Sequence, residues 1–320
     1  MNICAIVVTY NRKDLLLRCL AAVLDQTHPV SSLLIVDNAS TDGTWKAVKE
    51  KFLLLNGYET DAPSVVGTYK KVELIYFRSS VNRGGAGGFG TGLKVAHQRR
   101  RYEGFWMMDD DGYPSENCLE RQLVYLPEAD YVMPVSMDIN HPGHLSWPAK
   151  LKKRGKTTSY EQLRESWGKI MNFIYPFNGS LLSEKIVDEV GYINENFFLW
   201  GDEYEHYWRC RKKGYRPITI TDAVFYHPSD KMLFIPVFWG LIKVPYAESD
   251  LRMICLIRNY THIYWHYDCK CKILFKFFLY SWFFLITRKG DIHGYKLYLL
   301  SLKDGLRGDF TRHWIYLNSV

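Results

Sequence analysis

The stretch Ile3-Cys-Ala-Ile-Val-Val-Thr9 has no polar side chain before its last residue. A run that short and that uniformly apolar neither spans a bilayer nor alternates between core and solvent, so it predicts a strand buried on both faces of a parallel sheet. The same pattern returns in Ser32-Leu-Leu-Ile-Val-Asp37, Val72-Glu-Leu-Ile-Tyr-Phe77 and Gly104-Phe-Trp-Met-Met108. Between the first two, Leu15, Leu16, Cys19, Leu20 and Val23 recur at helical spacing until His28-Pro29 stops them. Asn38-Ala-Ser-Thr-Asp-Gly43 is a polar turn feeding a helix from about Thr44. A further helix is expected over Leu93–Arg101, after the glycine-rich run Asn82–Gly92. Strand and helix alternating in this way predict an α/β fold: a doubly wound, mostly parallel sheet.

Ligands of such sheets gather at the carboxyl ends of the strands. Those ends carry Thr9-Tyr-Asn-Arg12, Asp37-Asn38, Asn82–Gly92 and Asp109-Asp110-Asp111. Three consecutive aspartates behind an apolar strand repel one another in a partly desolvated cleft, which favours a bound divalent cation. Alternate residues of an extended backbone share a face, so Asp109 and Asp111 are expected to grip one ion, and their hard oxygens suit Mn²⁺ or Mg²⁺. The plainer reading is an acidic turn capping a helix that starts near Ser115.

A second acidic set, Asp202, Glu203 and Glu205, follows Phe197-Phe-Leu-Trp-Gly201 at a predicted helix start. The helix dipole alone accounts for carboxylates there; the functional reading makes one of them a general base. Trp200 is then either a platform for a sugar ring or a core residue. His227, before Pro228, reads by itself as a packed residue rather than a ligand. Gly85-Ala-Gly-Gly-Phe-Gly90 matches G-x-G-x-x-G, but it follows the third predicted strand rather than the first. It is weak support for a nicotinamide-dependent oxidoreductase, and glycines equally let backbone approach a nucleotide or sugar.

After Pro114 the pattern loosens. Residues 138–172 read as a long loop or insertion over one side of the site, Leu181–Val190 and Asp202–Lys213 as helices, and Arg216–Val224 as a strand ending near His227. From about Lys231 the chain turns aromatic and basic, with short amphipathic helices expected. The net charge of +7 fits phosphate-bearing ligands or an anionic membrane surface. No nucleic-acid-binding module signature accompanies it, so nucleic acid is not an expected partner. The seven cysteines form no CxxC pair and read as reduced thiols of a cytoplasmic chain without a secretory leader. Ile273–Ile286, interrupted by Lys276, is too short for a membrane span and suits an interfacial helix, or one packed on protein or in a homo-oligomer.

Taken together and in order, these motifs resemble glycosyltransferase family 2, the inverting enzymes of the GT-A fold. The resemblance rests on Val8–Arg12, Val36–Thr44, Asn82–Phe89, the aspartate triplet, and Trp200–Glu205 with Arg209 and Gly214. The glycine run and triplet look most like the bacterial galactofuranosyltransferase and rhamnosyltransferase branches, which build cell-surface glycans such as O-antigens and capsules. The resemblance implies a metal held by Asp109, Asp111 and His227. It implies a nucleoside pocket lined by Thr9, Arg12, Asp37 and Asn38, and a donor approached by Asn82, Gly84, Gly85 and Asp110. The acceptor side would be Trp200, Asn178 and Gly179. The base of related enzymes is the second acid after the aromatic run, which falls on Glu203; the slot usually holds aspartate, so Asp202 stays in contention.

The implied division is a catalytic domain over 1–230, with a nucleotide-binding half 1–112 and an acceptor-binding half 113–230. A helical region follows over 231–320, associated with membrane or with a second copy. The expected partners are a UDP-sugar donor, or dTDP-rhamnose, and a glycan or polyprenyl-linked acceptor. A non-catalytic glycan-binding protein on the same fold is the remaining alternative.

Overall fold

A computed structural model describes residues 1–52, 58–59, 64–174, 178–229 and 233–319. They group into two compact units, Met1–Glu195 with Cys210–Asp230, and Asn196–Arg209 with Lys231–Val320.

The first unit holds β1 (Ile3–Thr9), β2 (Ser32–Asp37), β3 (Tyr58–Glu59), β4 (Ser64–Tyr69), β5 (Val72–Arg78), β6 (Gly104–Asp109) and β7 (Tyr113–Pro114). β8 (Tyr131–Asp138), β9 (His144–Lys150), β10 (Lys156–Ser159), β11 (Ile170–Met171), β12 (Ser180–Ser183) and β13 (Ile218–His227) follow. Its helices are α1 (Lys13–Leu24), α2 (Thr44–Lys51), α3 (Gly84–Gln98), α4 (Cys118–Leu123), α5 (Leu126–Ala129), α6 (Tyr160–Trp167) and α7 (Glu184–Val190). The strands β6, β1, β2 and β5 lie side by side and parallel, as the apolar runs predict. β12 joins the edge of β6 antiparallel and links it to β8.

The uniform apolarity of β1 has a direct use. Ile3, Ala5 and Val7 pack on one face with Leu16, Cys19, Leu20 and Val23 of α1. Cys4, Ile6 and Val8 pack on the other with Phe89, Leu93 and Ala96 of α3. Each such fully buried aliphatic side chain contributes about 1.5–3 kcal/mol relative to leaving it in water. In register, Thr9 sits beside Asp37 and Val8 beside Asp109, so the strand ends form one rim.

The glycine run is where sequence and structure part. α3 starts at Gly84, not at Leu93, and most of the glycines lie inside the helix. A Cβ on Gly88 would stand 2.4 Å from Val8 Cγ1, and one on Gly92 2.6 Å from Ile6 Cγ2. These glycines bring helix against sheet at a spacing no side chain permits, which outweighs their poor helix propensity. Gly85 differs: a Cβ there would meet nothing within 4 Å.

Residues 138–172 are not a structureless loop. β9 and β10 pair antiparallel and α6 follows, capped by Ser159, whose hydroxyl accepts from Gln162 N–H. Pro148 within β9 and its half-exposed pattern conceal the strand from a search for apolar runs.

In the second unit, α8 (Asp202–Lys212) begins, and β14 (Leu233–Val237) and β15 (Ile242–Tyr246) form an antiparallel hairpin. α9 (Asp250–His266), α10 (Cys271–Trp282) and α11 (Ile292–Arg307) complete it. Its core includes Met253, Leu256, Ile257, Tyr280, Phe283, Phe284 and Tyr298. The sequence predicts short helices here; helices are present, but α9 and α11 are long, and the hairpin is an addition that the aromatic pattern does not announce. Cys269 and Cys271 are joined by a disulfide, against the expectation of reduced thiols throughout. The turn into α10 sets their Cα atoms 5.3 Å apart, within bridging range.

Candidate functional site

β6 ends on Asp109, and Asp110 and Asp111 lie in the turn that leads to β7. The turn is forced by neighbours: a Cβ on Gly112 would meet the Phe225 ring at 2.2 Å and the Tyr226 carbonyl at 2.6 Å. β7 then pairs with β13, Tyr113 opposite Tyr226 and Pro114 opposite Phe225. That register brings the strand-end histidine to the aspartates, and His227 Nε2 lies 3.0 Å from Asp111 Oδ1. Trp147 of β9 covers the imidazole, with ring centroids 4.7 Å apart. Ser146 Oγ donates to the His227 carbonyl at 2.9 Å.

The three carboxylates have different company. Asp110 is buried; Thr9 Oγ1 donates to its Oδ2 at 2.6 Å and Arg12 Nη1 to its Oδ1 at 3.2 Å. Arg12 Nη1 also donates to Asp111 Oδ2 at 2.7 Å. The Asp109 amide donates to Asn178 Oδ1 at 2.7 Å, but no described residue donates to its carboxylate. Burial, with repulsion from Asp111 and Asp110, pushes the Asp109 carboxyl up to about 8. Burial also raises Asp110, to about 6, against the pull of Thr9 and Arg12. Asp111 goes the other way: burial would raise it, but the His227 hydrogen bond and charge and Arg12 hold it below the usual carboxylate range.

His227 Nδ1 lies 2.6 Å from the Pro228 carbonyl, which can only accept, so Nδ1 carries a proton. Nε2 of the neutral ring therefore presents its lone pair to Asp111 Oδ1, a buried oxygen with no other partner among the described residues. Two lone pairs face each other at that distance only with a positive centre between them. In the metal-free protein a proton on Nε2 serves, and Asp111 accordingly lifts the histidine pKa against the burial that lowers it. A backbone-anchored histidine beside a carboxylate is the usual preparation of a metal ligand. The donor set, imidazole plus carboxylates, fits Mn²⁺ or Mg²⁺.

At the neighbouring strand ends, Asp37 is fully buried and its oxygens accept from Ser40 N–H at 2.8 Å and Tyr76 OH at 2.5 Å. Asn38 Nδ2 donates to the Gly84 carbonyl at 2.7 Å, and its buried Oδ1 lacks a partner among the described residues. Asn82 Oδ1 accepts from Gly84 N–H at 2.8 Å and fixes the entry to α3. Gly179, at φ +73°, directs its carbonyl to Trp106 Nε1 at 3.0 Å and Gln122 Nε2 at 2.8 Å. Asn178 and Gly179 thus brace the end of β6.

The second acidic set belongs to the other unit. Glu205 is buried and spoken for: Arg209 Nε lies 2.9 Å from both its oxygens, and Tyr267 OH donates to it at 3.0 Å. Asp202 and Glu203 are hydrogen-bonded to each other. Burial raises the Glu203 carboxyl above its ordinary value, while its hydrogen bonds to Asp202 and to backbone amides oppose that rise.

What sequence reasoning missed is the device beneath them. Phe198, Trp200 and Gly201 all adopt positive φ, at 64°, 63° and 85°. Such a backbone is strained for the two aromatics and persists only when its surroundings hold it. Asn259 Nδ2, fully buried on α9, donates to the carbonyls of Phe197 (2.9 Å), Leu199 (2.8 Å) and Trp200 (2.7 Å). Arg258 Nη2, also fully buried, donates to the Phe197 carbonyl at 2.9 Å. The adjacent Arg-Asn pair inside an apolar helical face was the available signal, since buried polar groups demand partners. Asn259→Ala is expected to cost about 1–3 kcal/mol by stranding buried carbonyls. It should also lower kcat with little change in donor KM, read by thermal denaturation and steady-state kinetics.

A mixed sheet whose centre β6-β1-β2-β5 is parallel, continued through the antiparallel β12 to β8 and carrying acids at the end of β6, is the architecture of a GT-A glycosyltransferase. Residues 4–191 match the model of glycosyl transferase family 2, and the chain belongs to that family. Among curated relatives, it is 26% identical over 317 residues to the galactofuranosyltransferase GlfT1 of Mycolicibacterium smegmatis, covering 97% of this chain and 98% of the relative. Among solved structures it resembles residues 1–349 of S. aureus TarS, with a TM-score of 0.55 at 15% identity over 96% of this chain and 81% of that one. It also resembles the mannosyltransferase PcManGT of Pyrobaculum calidifontis, solved with GDP-Man and Mn²⁺, with a TM-score of 0.52 at 18% identity over 81% and 62%. With the family established and the motif glycines Gly85, Gly87 and Gly90 all lying inside α3 rather than in a loop ahead of it, the G-x-G-x-x-G match carries no dinucleotide reading.

Proposed function

We propose that the chain is a metal-dependent inverting transferase that moves galactofuranose from its UDP conjugate to a lipid-linked or polysaccharide acceptor of a cell-surface glycan. The observation that carries the metal site is the pairing of His227 Nε2, its ring anchored through Nδ1, with an Asp111 oxygen 3.0 Å away that has no other partner among the described residues. The choice of sugar is supported by the end-to-end likeness to the galactofuranosyltransferase GlfT1.

Asp109, Asp111 and His227 would hold the ion, which when bound supplies positive charge against the departing diphosphate. Arg12 keeps Asp110 and Asp111 in place and adds a fixed positive charge at the strand ends. Asp37 and Asn38 would receive the nucleoside, the Oδ1 of Asn38 accepting a base N–H. Gly85, open above its Cα, would let the donor approach the backbone of α3. Glu203 would take the proton from the acceptor hydroxyl as it attacks the anomeric carbon, with Trp200 beside it for the acceptor ring.

A thermal-shift panel of UDP-galactofuranose, dTDP-rhamnose and a GDP-sugar, each with and without Mn²⁺, tests this reading. The UDP donor with Mn²⁺ should give the largest rise in Tm, about 2.7 kcal/mol of added stability at a hundredfold excess over Kd. A larger rise with dTDP-rhamnose would replace the sugar assignment.

A further inference from the structure

We infer that the second unit carries a docking face for an anionic lipid surface, formed by the outer side of α10 and the tip of the β14–β15 hairpin. The inference is independent of the sugar assigned above. α10 and the turn that continues it carry apolar side chains on more than one face. Leu279, Tyr280, Phe283 and Phe284 are buried in the unit's own core. Leu274, Phe275, Phe278, Leu285 and Ile286 recur at three- and four-residue spacing and stay exposed, Phe278 to 59%. With Trp282 they make one stripe along a single helix face.

The hairpin extends the stripe. Trp239 is 87% and Leu241 82% exposed at its tip. Phe238 and Trp239 hold left-handed φ of 47° and 54°, an unfavourable choice for aromatic residues in a tight turn. Both rings reach α10, at 4.4 Å and 5.0 Å from the Trp282 ring. Strain is thus spent on presenting an indole to solvent beside an apolar helix face.

Charge selects the occupant. Residues 269–290 contain Lys270, Lys272, Lys276, Arg288 and Lys289 and no acid. Lys270 and Lys272 are exposed at one end of the stripe, Arg288 and Lys289 at the other. Asp268 and Asp291 pair with Lys272 and Arg288 and leave the ends net basic. A second copy meeting this face about a two-fold axis would set basic end on basic end in either direction. An anionic bilayer instead takes the apolar stripe among its acyl chains and the lysines at its headgroups. No helix of the described residues is long and apolar enough to cross a membrane, so this one would lie in the interface plane.

Flotation of the full chain with vesicles checks the inference, using phosphatidylcholine alone and a mixture with phosphatidylglycerol (about 2:1). The protein should float with the mixed vesicles, much less with the neutral ones, and less again at high salt. Phe275→Ser with Phe278→Ser, and separately Trp239→Ser with Leu241→Ser, should each weaken binding about tenfold or more while leaving far-UV CD unchanged. Donor hydrolysis in solution should also be unchanged in both variants, so failure to float and failure to transfer are read separately. Equal recovery with and without anionic lipid, undiminished binding of the variants, or loss of a dimer in sedimentation without loss of flotation would each overturn the inference.

Discussion

Glu203→Gln should lower kcat by about 10²–10⁴-fold while leaving the UDP-donor Kd within about twofold of the native value. The substitution keeps the volume and removes only the ability to take a proton. Glu205 is not a competitor, because Arg209 and Tyr267 occupy its oxygens. The competitor is Asp202, hydrogen-bonded to Glu203 through the shared carboxyl pair. Asp202→Asn should have a smaller effect on kcat, and the reverse ranking would move the base to Asp202. The pH profile supplies a second sign. A base works deprotonated, and burial holds the Glu203 carboxyl above the ordinary glutamate value. Activity should therefore fall as pH drops through that raised pKa, giving an acid limb in kcat/KM higher than an exposed glutamate would give. That limb should vanish from the residual activity of Glu203→Gln.

Asp111→Ala is expected to cost about a hundredfold or more in kcat/KM, mostly through loss of the ion and of the donor it holds. The same change leaves Arg12 Nη1, which otherwise spans Asp110 and Asp111 at 3.2 and 2.7 Å, with Asp110 alone. Removing His227 should act in the same direction, since it would supply the third ligand of the proposed ion. UDP binding to the native protein should strengthen with Mn²⁺, and Asp111→Ala should flatten that dependence in isothermal titration. Arg12 remains to attract the diphosphate in the variant, so weak metal-independent binding is expected to persist.

The sheet was legible because buried parallel strands must be apolar throughout, and β1, β2, β5 and β6 obey that rule almost without exception. The acids at the end of β6 were legible for the converse reason: no core explains them. Four other features were hidden by tertiary override of local signals. α3 begins within glycines, where helix propensity is lowest, because close packing on Val8 and Ile6 is worth more than the propensity lost. The β14–β15 hairpin carries Pro236 and Pro245 and turns through Phe238-Trp239-Gly240, without the Asn-Gly or Asp-Gly signal of a tight hairpin. Asn259 and Arg258 sit in α9 far along the chain from the segment they hold, and spacing alone cannot reveal such a partner. Trp147 escaped notice for the same reason: its contact with His227 depends on β8 and β13 pairing in register.

Whether Asp109, Asp111 and His227 converge on a divalent ion beside a nucleotide diphosphate can be seen by anomalous diffraction at the manganese edge, from crystals soaked with Mn²⁺ and UDP. A single strong peak is expected within bonding distance of Asp111 and His227, shared with the diphosphate. No peak there, with His227 Nε2 still seated on the Asp111 carboxylate, would remove the metal from the site.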